Sequence, residues 1–223
     1  MSNNVGVNPI ICALDMNDYT ISSKLTRNLS PYVGMVKVGL ESFIYDHYGA
    51  INVASMHEVD VFLDLKFYDI PNTVEKAIKP FTYYKYIKMM TIHGSGSVDM
   101  IKAAVNAAEN IDIIAVTLLT STEEKNATEI VLKIAEKSLK NGAAGIVCSA
   151  REVLDLRKEF GNDFKIVVPG VRPKWYTTSD DQRRTGTPSE IINNGATNLV
   201  IGRPITSSDN PVEATKKILE ELK

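Results

Sequence analysis

The chain is poor in the residues that build metal centres and disulfide scaffolds: it has two cysteines and three histidines in 223 residues. Cys12 and Cys148 stand alone inside the apolar runs PIICAL and GIVCSA. Without CxxC spacing they offer no zinc knuckle, and without a secretion signal no disulfide framework is expected. Both read as small buried apolar residues. The histidines (His47, His57 and His93) show no spacing with one another or with carboxylates that resembles a ligand set, so no metal is expected. No apolar run approaches the roughly 18–20 residues needed to cross a bilayer. The N-terminal stretch MSNNVGVNP has neither the basic nor the apolar segment of a signal peptide, and a cytoplasmic location is the expectation. Excess positive charge is lacking too. A net charge of −2 gives no field for nucleic acid or an anionic membrane. GxSxG and GxxxxGKS/T are also missing, which removes support for triad hydrolysis and for triphosphate binding.

What is present is an ordinary globular composition, 44% hydrophobic and 23% charged, on a chain that suits one domain with a sizeable core. Short apolar runs predict strands at Ile10–Leu14, Met35–Leu40, Val59–Leu65, Tyr86–His93, Ile113–Leu119, Gly145–Ser149, Lys165–Pro169 and Asn198–Gly202. Between them lie helix-periodic segments such as 99–110 and 127–142, the second ending at Gly142 as a C-cap. Strict alternation of eight such units predicts a single-domain (β/α)8 barrel, with a doubly wound open sheet as the alternative. Polar residues favour the barrel. Asp15, Lys37, Asp64, His93, Thr120, Ser149 and Arg203 collect at or near the C-terminal strand ends, which in a barrel meet on one face. The long irregular connection 170–187, GVRPKWYTTSDDQRRTGT, is of a length that suits a lid.

The stretch DLKFYDIPNT (64–73) holds the densest chemistry. Strand alternation puts Val61 and Leu63 in the outer layer and directs Asp64 and Lys66 together toward the barrel mouth. Opposite charges placed there hold each other ionised. Buried pairs stabilise poorly compared with apolar packing, so this one calls for another reason to exist. Lys37 interrupts the neighbouring strand, and Asp69 precedes Pro71, which suits a first helical turn. The stretch LVIGRPITSSDNP (199–211) ends a strand in Gly202-Arg203, a combination suited to an anion after strand 8.

In chain order ALD (13–15), VKVG (36–39), DLKFYDIPNT, TIHG (91–94), VTLLTS (116–121), VPGVRP (168–173), DQRRTGTP (181–188) and VIGRPIT (200–206) resemble the orotidine 5′-phosphate decarboxylase family. The D-x-K-x-x-D core also recurs in barrel decarboxylases and aldolases that act on sugar phosphates. DIPNT and the pairing of DQRR with VIGRPIT are more specific. The resemblance implies a cofactor- and metal-free decarboxylase acting on orotidine 5′-monophosphate. It implies a charged catalytic array of Lys37, Asp64, Lys66 and Asp69, with Asp69 reaching into the other subunit of a homodimer accompanied by Ile70 and Thr73. It also implies ribose contact by Asp15, pyrimidine contact by Thr120, a base pocket lined by Pro169, and a phosphate grip of Gln182, Gly202 and Arg203 with Arg172. Two alternatives stay open: a metal-dependent sugar-phosphate relative using Glu41, and a catalytically silent phosphate-binding barrel.

Overall fold

A computed structural model describes residues 8–119, 124, 126–177 and 184–223. Its sheet is a closed barrel of eight parallel strands, each paired with the next in chain order and β8 paired back to β1. The strands are β1 Ile10–Ala13, β2 Met35–Gly39, β3 Asp60–Phe67, β4 Ile87–His93, β5 Asp112–Val116, β6 Gly145–Val147, β7 Lys165–Val168 and β8 Asn198–Ile201. The helices are α1 Tyr19–Leu29, α2 Leu40–Met56, α3 Pro71–Ile78, α4 Val98–Ala108, α5 Ala127–Lys140, α6 Val153–Phe160, α7 Pro188–Asn193, α8 Arg203–Thr206 and α9 Pro211–Glu221. A short 3-10 turn, Lys79–Tyr83, follows α3. All eight predicted strands form, and the closure rules out the open sheet.

Strand alternation sorts the side chains into two layers. Ile11, Phe62, Met89, Ile114, Val167 and Val200 fill the barrel interior. Their neighbours Val61, Leu63, Ile113 and Leu199 face outward into the larger core shared with the helices. Helix ends follow local chemistry. Asp18 and Ser97 cap α1 and α4 by accepting from the backbone N–H of Ile21 and Met100. Thr187 and Glu190 form a reciprocal capping box on α7. Pro71 occupies the first turn of α3 as expected, where its missing N–H costs nothing. After α5, Gly142 adopts φ +92°, the left-handed conformation that lets the chain turn back into β6.

Six strands end before the sequence expectation: β5 by three residues, β6 by two, and β1, β2, β7 and β8 by one each. β5 stops at Val116: the Thr117 N–H makes the last ladder bond to the Val147 carbonyl, to which its hydroxyl also donates, and Leu118 and Leu119 beyond it line the barrel mouth. β7 stops before Pro169, which has no N–H to donate to a ladder. No helix among the described residues is long and apolar enough to cross a membrane.

Candidate active site

The C-terminal ends of β1, β2 and β3 bring four charged groups together: Asp15, Lys37, Asp64 and Lys66. Gly39 at the end of β2 lies opposite Asp64 of β3, so Lys37 and Asp64 project into the same mouth. Lys66 Nζ donates to Asp64 Oδ1 at 2.8 Å, and Lys37 Nζ lies 3.7 Å from Asp64 Oδ2. Lys37 also donates to Asp15 Oδ1 at 2.7 Å, completing an Asp–Lys–Asp–Lys chain. Gly39 is what makes room for it. A β-carbon there would lie 2.7 Å from both Asp15 Oδ1 and Lys37 Nζ.

Lys66 does not arrive there by regular alternation. The β3–β4 register shifts between Leu63 and Phe67, and Lys66 takes φ +51°, left-handed backbone that a residue with a β-carbon adopts at a cost. Thr91 on β4 holds this kink: its Oγ1 accepts the Lys66 N–H at 2.8 Å and donates to Asp64 Oδ1 at 2.9 Å. One threonine thus orients both the backbone of the lysine and the carboxylate it contacts.

Burial by itself would raise the Asp64 carboxyl. The charges of Lys37 and Lys66, with hydrogen bonds from Lys66 and Thr91, outweigh it and hold the group below the usual carboxylate range. His93 is pushed down from the usual imidazole value, first by burial and then by the charge of Lys66, with Asp64 partly opposing. Cys12 is pushed up to about 12 by burial and by Asp15, against the opposing charge of Lys37. It is an inert packing residue, as is the buried Cys148.

A cavity with two lobes opens over this array. One lobe, about 150 Å³, is walled by Phe62, Val116, Leu118, Leu119, Val147 and Val167, with Lys37, Asp64 and Lys66 as its polar side. The other, about 470 Å³, is lined by Asp15, Glu41, Gly170, Arg172, Gly202 and Arg203. Lys37, Pro169 and Val200 border both. An apolar slot that ends in paired charges thus joins a compartment carrying two arginines. Gly202 has space around it: a β-carbon there would meet only Ala13, at an ordinary 3.6 Å.

Residues 8–218 match the family model described as orotidine 5′-phosphate decarboxylase / HUMPS family. The chain belongs to this family. Among curated relatives, an orotidine 5′-phosphate decarboxylase of Wolbachia pipientis subsp. Culex pipiens is 41% identical over 227 residues, 97% of this chain and 99% of the relative. That of Ehrlichia canis is 40% identical, across 96% of this chain and 98% of its own. The crystal structure of orotidine 5′-phosphate decarboxylase from Lactobacillus acidophilus superposes with a TM-score of 0.83 at 31% identity, covering 97% of this chain and 99% of that one.

Of the residues singled out by family resemblance, Asp15, Lys37, Asp64, Lys66, Pro169, Arg172, Gly202 and Arg203 meet around the cavity. Asp69, Ile70 and Thr73 do not. All three are exposed, Asp69 and Ile70 on the β3–α3 connection and Thr73 in the first turn of α3, and Asp69 Oδ1 accepts from the Ile70 N–H rather than meeting Lys66. Thr120 and Gln182 lie outside the described residues. His93 and Ser149 are not among the described lining residues of either lobe. His93, at the C-terminal end of β4 within reach of the charges of Lys66 and Asp64, packs edge-on against Tyr68, and Ser149 hydrogen-bonds Glu152. Thr91 went unassigned, although it sits in the TIHG motif, because a threonine beside apolar residues reads equally well as strand filling. Among the described residues no three or more His, Cys, Asp or Glu side chains gather to hold a metal, and the metal-dependent alternative gains no support.

Proposed function

We propose that this chain is a metal- and cofactor-independent orotidine 5′-phosphate decarboxylase that converts orotidine 5′-monophosphate to uridine 5′-monophosphate and CO2. The carrying observation is the Asp15–Lys37–Asp64–Lys66 chain at the junction of an apolar slot and a two-arginine compartment. A pyrimidine nucleotide has the same order of parts: a flat ring, a ribose and a dianion. The ring enters the slot beneath Leu118 and Pro169, Asp15 takes the ribose hydroxyls, and Arg203 and Arg172 take the phosphate. Gly202, with no side chain, lets the phosphate approach the backbone.

The C6–carboxylate bond breaks, CO2 leaves and its electron pair stays on C6. Lys66 stabilises the developing charge and transfers its Nζ proton to that carbon, to be reprotonated from water. Asp64, which the two lysines keep anionic, lies where the substrate carboxylate must sit, disfavouring the ground state over the transition state.

The site is assigned to a homodimer. Asp69, Ile70 and Thr73 are exposed together, and Ile70 leaves 65% and Tyr68 63% of their surface uncovered. A second copy covering that apolar pair brings Asp69 to the neighbouring Lys66. The 170–187 connection takes the role of a cover over the phosphate, with Gln182 as its grip. A cytoplasmic location and independence from nucleic acid and membranes belong to the same reading.

The test is the loss of orotidine 5′-monophosphate absorbance on adding purified protein, with and without EDTA. Rapid loss unaffected by chelator is expected. Loss only with added metal would assign a sugar-phosphate-type relative, and no loss a silent barrel.

A further inference from the structure

A buried charge pair lies apart from the array described above. Glu152, just before α6, uses Oε2 to accept from the Ser149 N–H at 3.0 Å and from the Ser149 hydroxyl at 2.6 Å. Its other oxygen accepts from Arg184 Nη2. The glutamate and arginine side chains are 2% and 5% exposed. Such pairs add little stability compared with apolar packing of the same volume, and their best-attested use is to specify one arrangement over others. Neither lobe of the cavity has Ser149, Glu152 or Arg184 among its described lining residues, so any effect on substrate is indirect.

Arg184 leads through Thr185 to Gly186, whose carbonyl accepts the Arg172 N–H at 2.9 Å. Val171 and Gly186 form an isolated parallel bridge at the same point. Gly186 is seated tightly, since a β-carbon there would be 3.0 Å from both Ala150 and Ile191. A continuous chain of contacts therefore runs from the end of β6, through Glu152 and Arg184, to the backbone of Arg172 in the two-arginine compartment.

We propose that the Ser149–Glu152–Arg184 network is a positioning brace that fixes the base of the 170–187 connection and thereby aims Arg172 at the substrate phosphate. The proposal rests on the reading of that compartment as the phosphate site. Glu152 and Arg184 are positioning residues, not catalytic ones.

The test compares Glu152→Gln with wild type on orotidine 5′-monophosphate and on the phosphate-free nucleoside orotidine. Misplacement of a binding group by about 1 Å can cost up to about a hundredfold. The expected result is a fall of about tenfold or more in kcat/KM for the nucleotide, carried by KM, with less than about a twofold change for the nucleoside. A purely structural role would lower both substrates in parallel by reducing the folded fraction, and that outcome overturns the proposal. So does a folded variant with wild-type kinetics on the nucleotide. If Glu152→Gln does not fold, the double variant Glu152→Met/Arg184→Met removes both charges without stranding either, and is measured in the same way. Failure of that variant to fold assigns the pair to the fold alone. A wild-type chain inactive on the nucleotide tells against the decarboxylase reading instead. Inorganic phosphate binding then decides, with weaker binding by the variant supporting the brace and unchanged or absent binding overturning it.

Discussion

Lys66 combines two features that separate substitutions can resolve: an ammonium in the charge array and a left-handed backbone, φ +51°. Lys66→Ala and Lys66→Gly both delete the ammonium. Asp64 stays partnered in each, by Lys37 at 3.7 Å and by Thr91 at 2.9 Å, so the loss of the ion pair is common to the two variants and cancels between them. The backbone does not cancel. Left-handed geometry costs a residue with a β-carbon about 1–2 kcal/mol. Glycine avoids this cost but loses about 0.4–1 kcal/mol through the larger entropy of its unfolded chain. The difference leaves Lys66→Gly more stable than Lys66→Ala by about 1 kcal/mol, which for a domain of this size is a Tm higher by about 2–4 °C. Thermal unfolding followed by circular dichroism at neutral pH measures it. Both variants should lose at least about a thousandfold in turnover, the upper range for general-acid catalysis. An alanine variant as stable as the glycine variant would refute the strain stored at Lys66, and substantial turnover in either would remove it as proton donor.

Other outcomes follow from the same geometry. Arg203→Ala removes a charge-assisted grip worth about 1.5–3 kcal/mol and should raise KM for the nucleotide about 10- to 100-fold; unchanged affinity for uridine 5′-monophosphate would take Arg203 out of the phosphate site. Mixing inactive Asp69→Ala and Lys66→Ala subunits should restore partial activity, since one of the two sites in a heterodimer has both residues intact. Verified heterodimers without activity would refute site sharing. His93, depressed by burial and by Lys66, stays neutral in the folded protein at pH values where the unfolded chain takes up a proton. Its contribution is therefore full above the ordinary value near 6.5 and is lost as pH falls below it toward the lower folded value. His93→Gln should flatten the fall of Tm between about pH 7 and about pH 5, and an unchanged slope would refute this account.

Much of this protein is local information. A two-residue period in Val61-Phe62-Leu63 is enough to send Phe62 into the barrel and its neighbours into the helix layer, because strand geometry depends only on the chain itself. Eight such runs, separated by helix-periodic segments, narrowed the fold to a parallel barrel or a doubly wound open sheet, with the polar strand ends favouring the barrel. The density of charge in 64–69 drew attention to the end of β3, where Asp64 and Lys66 do pair. Other features needed contacts across long stretches of chain. That Asp15, Lys37 and Asp64 form one array depends on the register between β1, β2 and β3. That Lys66 reaches Asp64 through a kink depends on Thr91, 25 residues further along on β4. Glu152 and Arg184, 32 residues apart, show no pattern in the sequence, because a buried ion pair is defined by desolvation and proximity rather than by periodicity. Side-chain period is a property of each strand alone. Register, closure and the burial of charge exist only once the strands are together.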